Sequence, residues 1–378
     1  MKTKYYLLVF LLICVVSCKK DIVVPAQSPP SQRTLLVFMG GDNNLYKETY
    51  DKLEALRKGY TSGMGRLIVF QSAKGITPRL VEIQTGTNGE GQIREIKTYK
   101  NYSTASTMLF KEVLNDIKVC ARAESYGLIL FSHGSGWMPQ QSLLQPYALT
   151  MDKDDMNLRD FAAAIPDHFF DFMIFESCLM SGIEVMYELK DKTNFVVASS
   201  SEIVSPGFTP IYGRLLSYLY QPEAKLKDFA QLYFDYYNQQ KGASRAATIA
   251  ITDTRQLDSL VKWVSENALL KLSEDQLKTI QHFDRFVGYS LFFDFEDYYQ
   301  HLSPAASHEK LALLLSKAVP FKAATPTFLK NYNGFNIAVF SGLTSYIPQD
   351  GFEYLNTSYK KLKWVSAISS NTNVQPVN

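Results

Sequence analysis

The sequence predicts an α/β fold with a mostly parallel sheet and helices on both faces. Two observations carry this. Short apolar runs of strand length recur along the first two hundred residues: Thr34 to Met39, Arg66 to Gln71, Tyr126 to Ser132, Phe170 to Phe175 and Asn194 to Ser199. Stretches with helical spacing lie between most of them, such as Leu45 to Leu56, Ser103 to Ala121 and Leu158 to Ile165. Strands alternating with helices build parallel sheets covered on both sides. The 378 residues are 46% hydrophobic and 20% charged, which provides for a sizeable core.

The amino terminus has its own character. Lys2 and Lys4 precede an apolar run from Tyr5 to Val16, followed by Ser17 and Cys18. A basic start, a short apolar stretch and a small residue before the break make a secretory signal. About twelve apolar residues are too few to span a bilayer comfortably. Val15-Val16-Ser17-Cys18 is similar to a bacterial lipobox, which puts lipidation on Cys18 and the protein in the cell envelope, on the outer-membrane or periplasmic side. Lys19 to Arg33, with Pro25, Pro29 and Pro30, reads as an extended tether.

The first strand begins at Thr34 and ends in Gly40-Gly41-Asp42-Asn43-Asn44. No Gly-Lys-Ser/Thr follows, and no third glycine falls at the dinucleotide spacing. Turn and helix-cap chemistry is the better reading. Leu80 to Ile83 and Gln92 to Ile96 predict an exposed hairpin. Trp137 to Asp155 has no period and reads as a loop. Beyond Tyr218 helices are expected over Phe229 to Gln239, Arg255 to Leu272 and Glu274 to Phe286. Further strands are expected at Ala246 to Thr252 and within Gly334 to Phe340. The tail after Ser369 is polar. The expected divisions are a signal over 1–17, a tether over 18–33, a catalytic domain over 34–217, a subdomain over 218–369 on the same sheet, and a tail over 370–378.

Two strand ends carry the chemistry. Phe170 to Phe175 runs into Glu176, Ser177 and Cys178. Tyr126 to Ser132 runs into His133 and Gly134. Open α/β folds place ligands at the carboxyl edge of the sheet, so these residues face a cleft. A cysteine and a histidine there make a nucleophile and an acid/base. The N–H groups of Gly134 and Cys178 are the expected oxyanion hole. Small flanking residues, Ser132, Ser135, Gly136, Ser177, Ser181 and Gly182, suit close approach by a ligand. The thiols at Cys14, Cys18, Cys120 and Cys178 fit no zinc spacing or disulfide framework, and Cys120 reads as a core residue. The net charge is +2 and no long basic run follows the amino terminus, which argues against nucleic-acid binding.

These blocks resemble the clostripain-like cysteine peptidases, relatives of gingipains, legumain, separase and caspases. LLVFMGGDNNL (Leu35 to Leu45) resembles the family's first strand and turn. LILFSHGSGW (Leu128 to Trp137) resembles its His-Gly block, and ESCLMSGIEVMYELKD (Glu176 to Asp191) its Asp-Ala-Cys-Leu-Met block. FVVASSSEIVSPGFTPIY (Phe195 to Tyr212) and GLTSYIP (Gly342 to Pro348) resemble later signatures, with Trp364 beyond. The resemblance implies a caspase-like three-layer α/β/α sandwich with a carboxyl-terminal α/β extension. It implies hydrolysis of proteins or peptides after Arg or Lys, with Cys178 and His133 as the dyad. It places Glu176 in the pocket for the basic side chain, with Glu202 as a second acid. Strand alternation puts Glu176 on the side of Cys178, in agreement. Glutamate and Ser177 stand where the family usually has aspartate and alanine.

The resemblance also suggests self-cleavage at Lys153 or Arg159, and a calcium response through Asp152, Asp154 and Asp155. No EF-hand spacing is present, no cofactor is required and no metal site is expected. A monomer is expected, attached to the membrane only through its lipid. The alternative is a binding lipoprotein on the same fold without catalysis, since a fold can keep its shape and lose its chemistry.

Overall fold

The structure is a computed structural model and describes residues 30–87, 89–100, 106–139 and 156–370. The signal, Cys14 and Cys18, Lys153, the aspartates at 152, 154 and 155, and the polar tail lie outside the described residues. Among those described, no helix is long and apolar enough to cross a membrane.

The chain begins with β1 (Ser31–Gly41), α1 (Tyr46–Gly59), β2 (Arg66–Ala73), β3 (Arg79–Thr85), β4 (Gly91–Thr98), α2 (Thr107–Cys120) and β5 (Ala123–Phe131). It continues with α3 (Leu158–Ala164), β6 (Phe170–Glu176), α4 (Ile183–Leu189), β7 (Thr193–Ala198), α5 (Tyr212–Leu219), α6 (Leu226–Asn238) and β8 (Thr248–Asp253). Then come α7 (Leu257–Asn267), α8 (Glu274–Leu277), β9 (Phe293–Asp294), α9 (Phe295–His301), α10 (His308–Ala318) and β10 (Phe321–Ala324).

Nine strands form one sheet in the order β10-β8-β7-β6-β5-β1-β2-β3-β4. The five in the middle, β7, β6, β5, β1 and β2, are parallel neighbours. Antiparallel strands extend both edges. The parallel strands read as continuous apolar runs because both faces are covered. Alternation sorts their side chains. Leu36, Phe38, Leu128, Leu130, Met173 and Phe175 pack under α2, α3, α4 and α7. Leu35, Val37, Met39, Ile129, Phe131, Phe172 and Ile174 pack under α1, α5 and α6. The α/β class with a mostly parallel sheet therefore holds, and the strand expected at Ala246 to Thr252 is β8.

Four local expectations change. The hairpin is not exposed throughout: Leu80, Val81 and Ile83 of β3 are buried as it pairs with β2, and only β4 lies largely in solvent. The helix from Glu274 stops at Leu277, after a capping box between Ser273 and Gln276. Past it, the Asp284 carboxylate accepts the N–H groups of Leu291 and Phe292, both at 2.8 Å, and holds a loop instead of a helix. The run Gly334 to Phe340 yields only the short strand Phe335–Asn336. At the start, β1 opens at Ser31, before Thr34. Arg33 is buried there and donates to the carbonyls of Leu219, Gln221 and Pro222.

Candidate active site

The cleft lies where β5, β6 and β7 end. In the register of the central pair, Phe131 faces Glu176 across neighbouring parallel strands. His133 and Cys178 each follow two residues later, on strands about 5 Å apart. Both line one cavity of about 450 Å³ with Gly134, Ser132 and Leu179. The two loops touch so closely at Gly134 that a Cβ there would lie 2.5 Å from the Cys178 carbonyl oxygen and 3.1 Å from its nitrogen. Only glycine fits. That contact sets the backbone of Gly134 against that of Cys178, the pair of amides expected to receive an oxyanion.

The turn after Cys178 is held from several sides. Leu179 has φ of +60°, uncommon for a leucine, and its N–H donates to the Ser201 carbonyl at 2.9 Å. Ser181 donates its N–H to the Ser199 carbonyl and its Oγ to the Gly342 carbonyl at 2.6 Å, while the Thr344 N–H returns to the Ser181 carbonyl. Glu184, in the first turn of α4, accepts the Tyr346 N–H at 2.8 Å. The block from Gly342 to Pro348 thus pins the Cys178 loop against the carboxyl-terminal half.

His133 has a partner that the sequence reading missed. Its Nε2 lies 2.6 Å from Asn44 Oδ1. A carbonyl-type oxygen accepts, so Nε2 carries the hydrogen and Nδ1 is the basic nitrogen. Asn44 comes from the Asp-Asn-Asn turn after β1, the strand beside β5. In the sequence that turn reads as turn and cap chemistry, with nothing to link Asn44 to His133.

The electrostatics favour a neutral resting pair. Burial pushes the Cys178 thiol up to about 12. The Ile203 N–H and the Arg285 guanidinium pull it down, and the Glu202 carboxylate pushes it up, but burial dominates. Burial also lowers the His133 pKa, so the imidazole is neutral at pH 7. The thiol is protonated until a base takes its proton, and His133 lines the same cavity.

The acids are not as the sequence reading places them. Glu176 is fully buried, and its carboxylate takes three donors from this chain: Lys52 Nζ at 2.6 Å, the Phe208 N–H at 2.5 Å and the Tyr212 hydroxyl at 2.5 Å. Lys52 Nζ is buried too, bonds the Pro206 carbonyl and Thr209 Oγ1, and lies 4.3 Å from the Phe131 ring centroid. A lysine of the chain thus holds the place expected for a substrate cation. Glu202 is more accessible, at 33% exposure, and pairs with Arg285 at the cleft wall. Lys52 has a signal in the sequence. It sits on the stripe of α1 with Thr49, Leu53 and Leu56, where a charge must have a partner. Arg159 lies exposed on α3, away from the cleft. Among the described residues, no cluster of three or more His, Cys, Asp or Glu side chains is arranged to hold a metal ion.

The model of the clostripain family matches residues 37–363. The chain belongs to the clostripain family of cysteine peptidases. Solved structures of the family share the fold. An inactive zymogen C11 protease from Parabacteroides distasonis is 26% identical, covers 91% of this chain and 99% of its own, and has a TM-score of 0.79. A secreted C11 cysteine protease from Bacteroides thetaiotaomicron, solved with an irreversible peptide inhibitor, is 21% identical over 90% of this chain and 99% of its own, also at 0.79. A clostripain from the same organism, in complex with a peptide inhibitor, is 24% identical over 62% of this chain and 99% of its own, at 0.51. No curated protein matches. As a clostripain-family cysteine peptidase, the chain acts on peptide substrates.

Proposed function

We propose that Cys178 is the nucleophile and His133 the acid/base of an endopeptidase that cuts after Arg or Lys and is exported as a lipoprotein anchored through Cys18. The observation that carries the dyad is the equal offset of the two residues beyond Phe131 and Glu176, paired positions on adjacent parallel strands. The Cys178 sulfur attacks the scissile carbonyl carbon while His133 takes the thiol proton. The N–H groups of Gly134 and Cys178 receive the oxyanion. His133 then returns the proton to the departing amine, leaving a thioester. Water, deprotonated by His133, hydrolyses the thioester and the thiol is restored. Glu176 has its acceptors filled by this chain, so the acid proposed for the substrate's basic side chain is Glu202. A carboxylate facing a guanidinium gives a charge-assisted, two-pronged contact.

The test uses protein beginning at Lys19, with Cys178→Ala as control, on fluorogenic peptides carrying Arg, Lys, Asp, Asn or Leu before the reporter. Cleavage after Arg or Lys, lost in the control, is expected. Cleavage only after another residue would overturn the basic preference, and cleavage surviving in the control would overturn the nucleophile. Adding EGTA reads out calcium, and a gel of active protein reads out self-cleavage at Lys153 or Arg159. Labelled fatty acid incorporated by the full chain and lost in Cys18→Ala is the expected result for the anchor; equal incorporation in both would refute it.

A further inference from the structure

Of the acids lining the cleft, Glu176 and Glu202 are each bonded to a cation of the same chain, but the two pairs differ in kind. Lys52 and Glu176 are both completely buried. Lys52 is bonded to two further oxygens, so nothing entering from solvent displaces it without opening the core. Glu202 and Arg285 sit at the cleft wall with 33% and 25% of their side chains exposed. They meet fork to fork, Nε to Oε1 at 3.0 Å and Nη2 to Oε2 at 2.8 Å. This is the geometry in which a carboxylate receives a substrate arginine. The pair is also near the reacting atom. Glu202 directly precedes Ile203, whose N–H faces the Cys178 sulfur, and both charges act on that sulfur.

Arg285 comes from a segment without regular structure between α8 and β9. Its remaining side-chain bond is from Nη1 to the Tyr332 carbonyl at 2.6 Å. The segment turns at Gly288, with φ of +89°, and Val287 at its tip is 83% exposed. Its base is fixed by Asp284. Arg285 therefore stands on a firm base with a free side, and its ion pair is partly hydrated. Water screens such a pair, so breaking it costs less than breaking a fully buried one.

We propose that Arg285 occupies on Glu202 the place of the substrate's own basic side chain, so that substrate enters by exchanging one cation for another on a single carboxylate. Arg285 is then a specificity-determining residue: it taxes basic substrates, which must displace it, and spares neutral ones. The proposal rests on the basic preference put forward above.

Binding is measured by titration calorimetry in the Cys178→Ala protein, so the result does not depend on turnover. The probes are a peptide with Arg before the scissile position and the same peptide with citrulline, which keeps the shape and lacks the charge. Arg285→Gln keeps a donor for Tyr332, and Arg285→Ala serves as a second variant. The ratio of Arg to citrulline affinity is expected to rise about five-fold in both, the size of a partly exposed ion pair. In Glu202→Gln the ratio falls to about one. An unchanged or lower ratio in both Arg285 variants, with Arg still favoured and that preference still lost in Glu202→Gln, overturns the role of Arg285 alone. A ratio at or below one in the parent and in every variant overturns the basic preference, and the proposal with it.

Discussion

Replacing Lys52 by methionine separates a buried ion pair from an open pocket acid. The pair is 2.6 Å long, and neither side chain is exposed. At an effective dielectric constant near 20 the gross attraction at that distance is roughly 6 kcal/mol. Desolvation of both groups offsets much of it, so the net worth of such a pair is small, whereas removal of one partner strands the other charge at about 3–5 kcal/mol. Lys52→Met should therefore lower unfolding free energy by about 3–5 kcal/mol in urea at pH 7.5. Lys52→Met with Glu176→Gln should recover most of it, because no buried charge is then left alone. The two donors bond different oxygens of Glu176, so the glutamine carbonyl can still accept the Phe208 N–H while its amide N–H donates to the Tyr212 hydroxyl oxygen. A loss under about 1 kcal/mol in the single variant would refute the reasoning. Glu176 would then be solvated, and the expectation of an acid open to substrate would return.

Three further outcomes follow from the same geometry. Asn44→Ala should lower kcat roughly ten-fold, a fraction of what acid/base catalysis supplies, with KM within about two-fold; Asn44→Asp should restore activity and move the acidic limb of the pH profile upward, and a change in KM alone would show that Asn44 does not position His133. Gly134→Ala must displace the Cys178 backbone and should cost about 10²-fold in kcat, the size of one lost oxyanion donor, whereas wild-type turnover would rule out the amide pairing. Glu184 is raised from 4.5 to about 7 by burial, so between these values the folded chain holds a proton that the unfolded chain has lost, and stability falls as pH rises through that window. At about 1.36 kcal/mol per pH unit this is about 3 kcal/mol, and the difference between wild type and Glu184→Gln isolates it from Asp294, which burial also raises; parallel curves for the two proteins would contradict it.

The legible parts of this protein were local. Buried runs such as Leu35 to Met39 and Leu128 to Phe131 announce parallel strands because both their faces are covered. His133 and Cys178 stand at the ends of such runs, so their place at the sheet's edge could be read directly. What stayed hidden were bonds between distant segments. Lys52 and Glu176 are 124 residues apart, Asn44 and His133 89, and Glu202 and Arg285 83. Periodicity does not report such pairings. The helix expected through Phe286 failed for the same reason. Asp284 bonds amides seven and eight residues on, and a tertiary loop overrides helical spacing there.

The central claim is that Cys178 reacts only with the help of His133. Small alkylating agents test it poorly, because a thiol raised to about 12 reacts slowly at neutral pH. The direct measurement treats wild type, His133→Ala and Cys178→Ala with peptide chloromethyl ketones bearing Arg or Leu, followed by mass mapping. The account predicts a single adduct on the Cys178 peptide of the wild type, loss of that adduct in both variants, and an unmodified Cys120. Equal labelling of Cys178 without His133, or labelling of Cys120 at a similar rate, would contradict it.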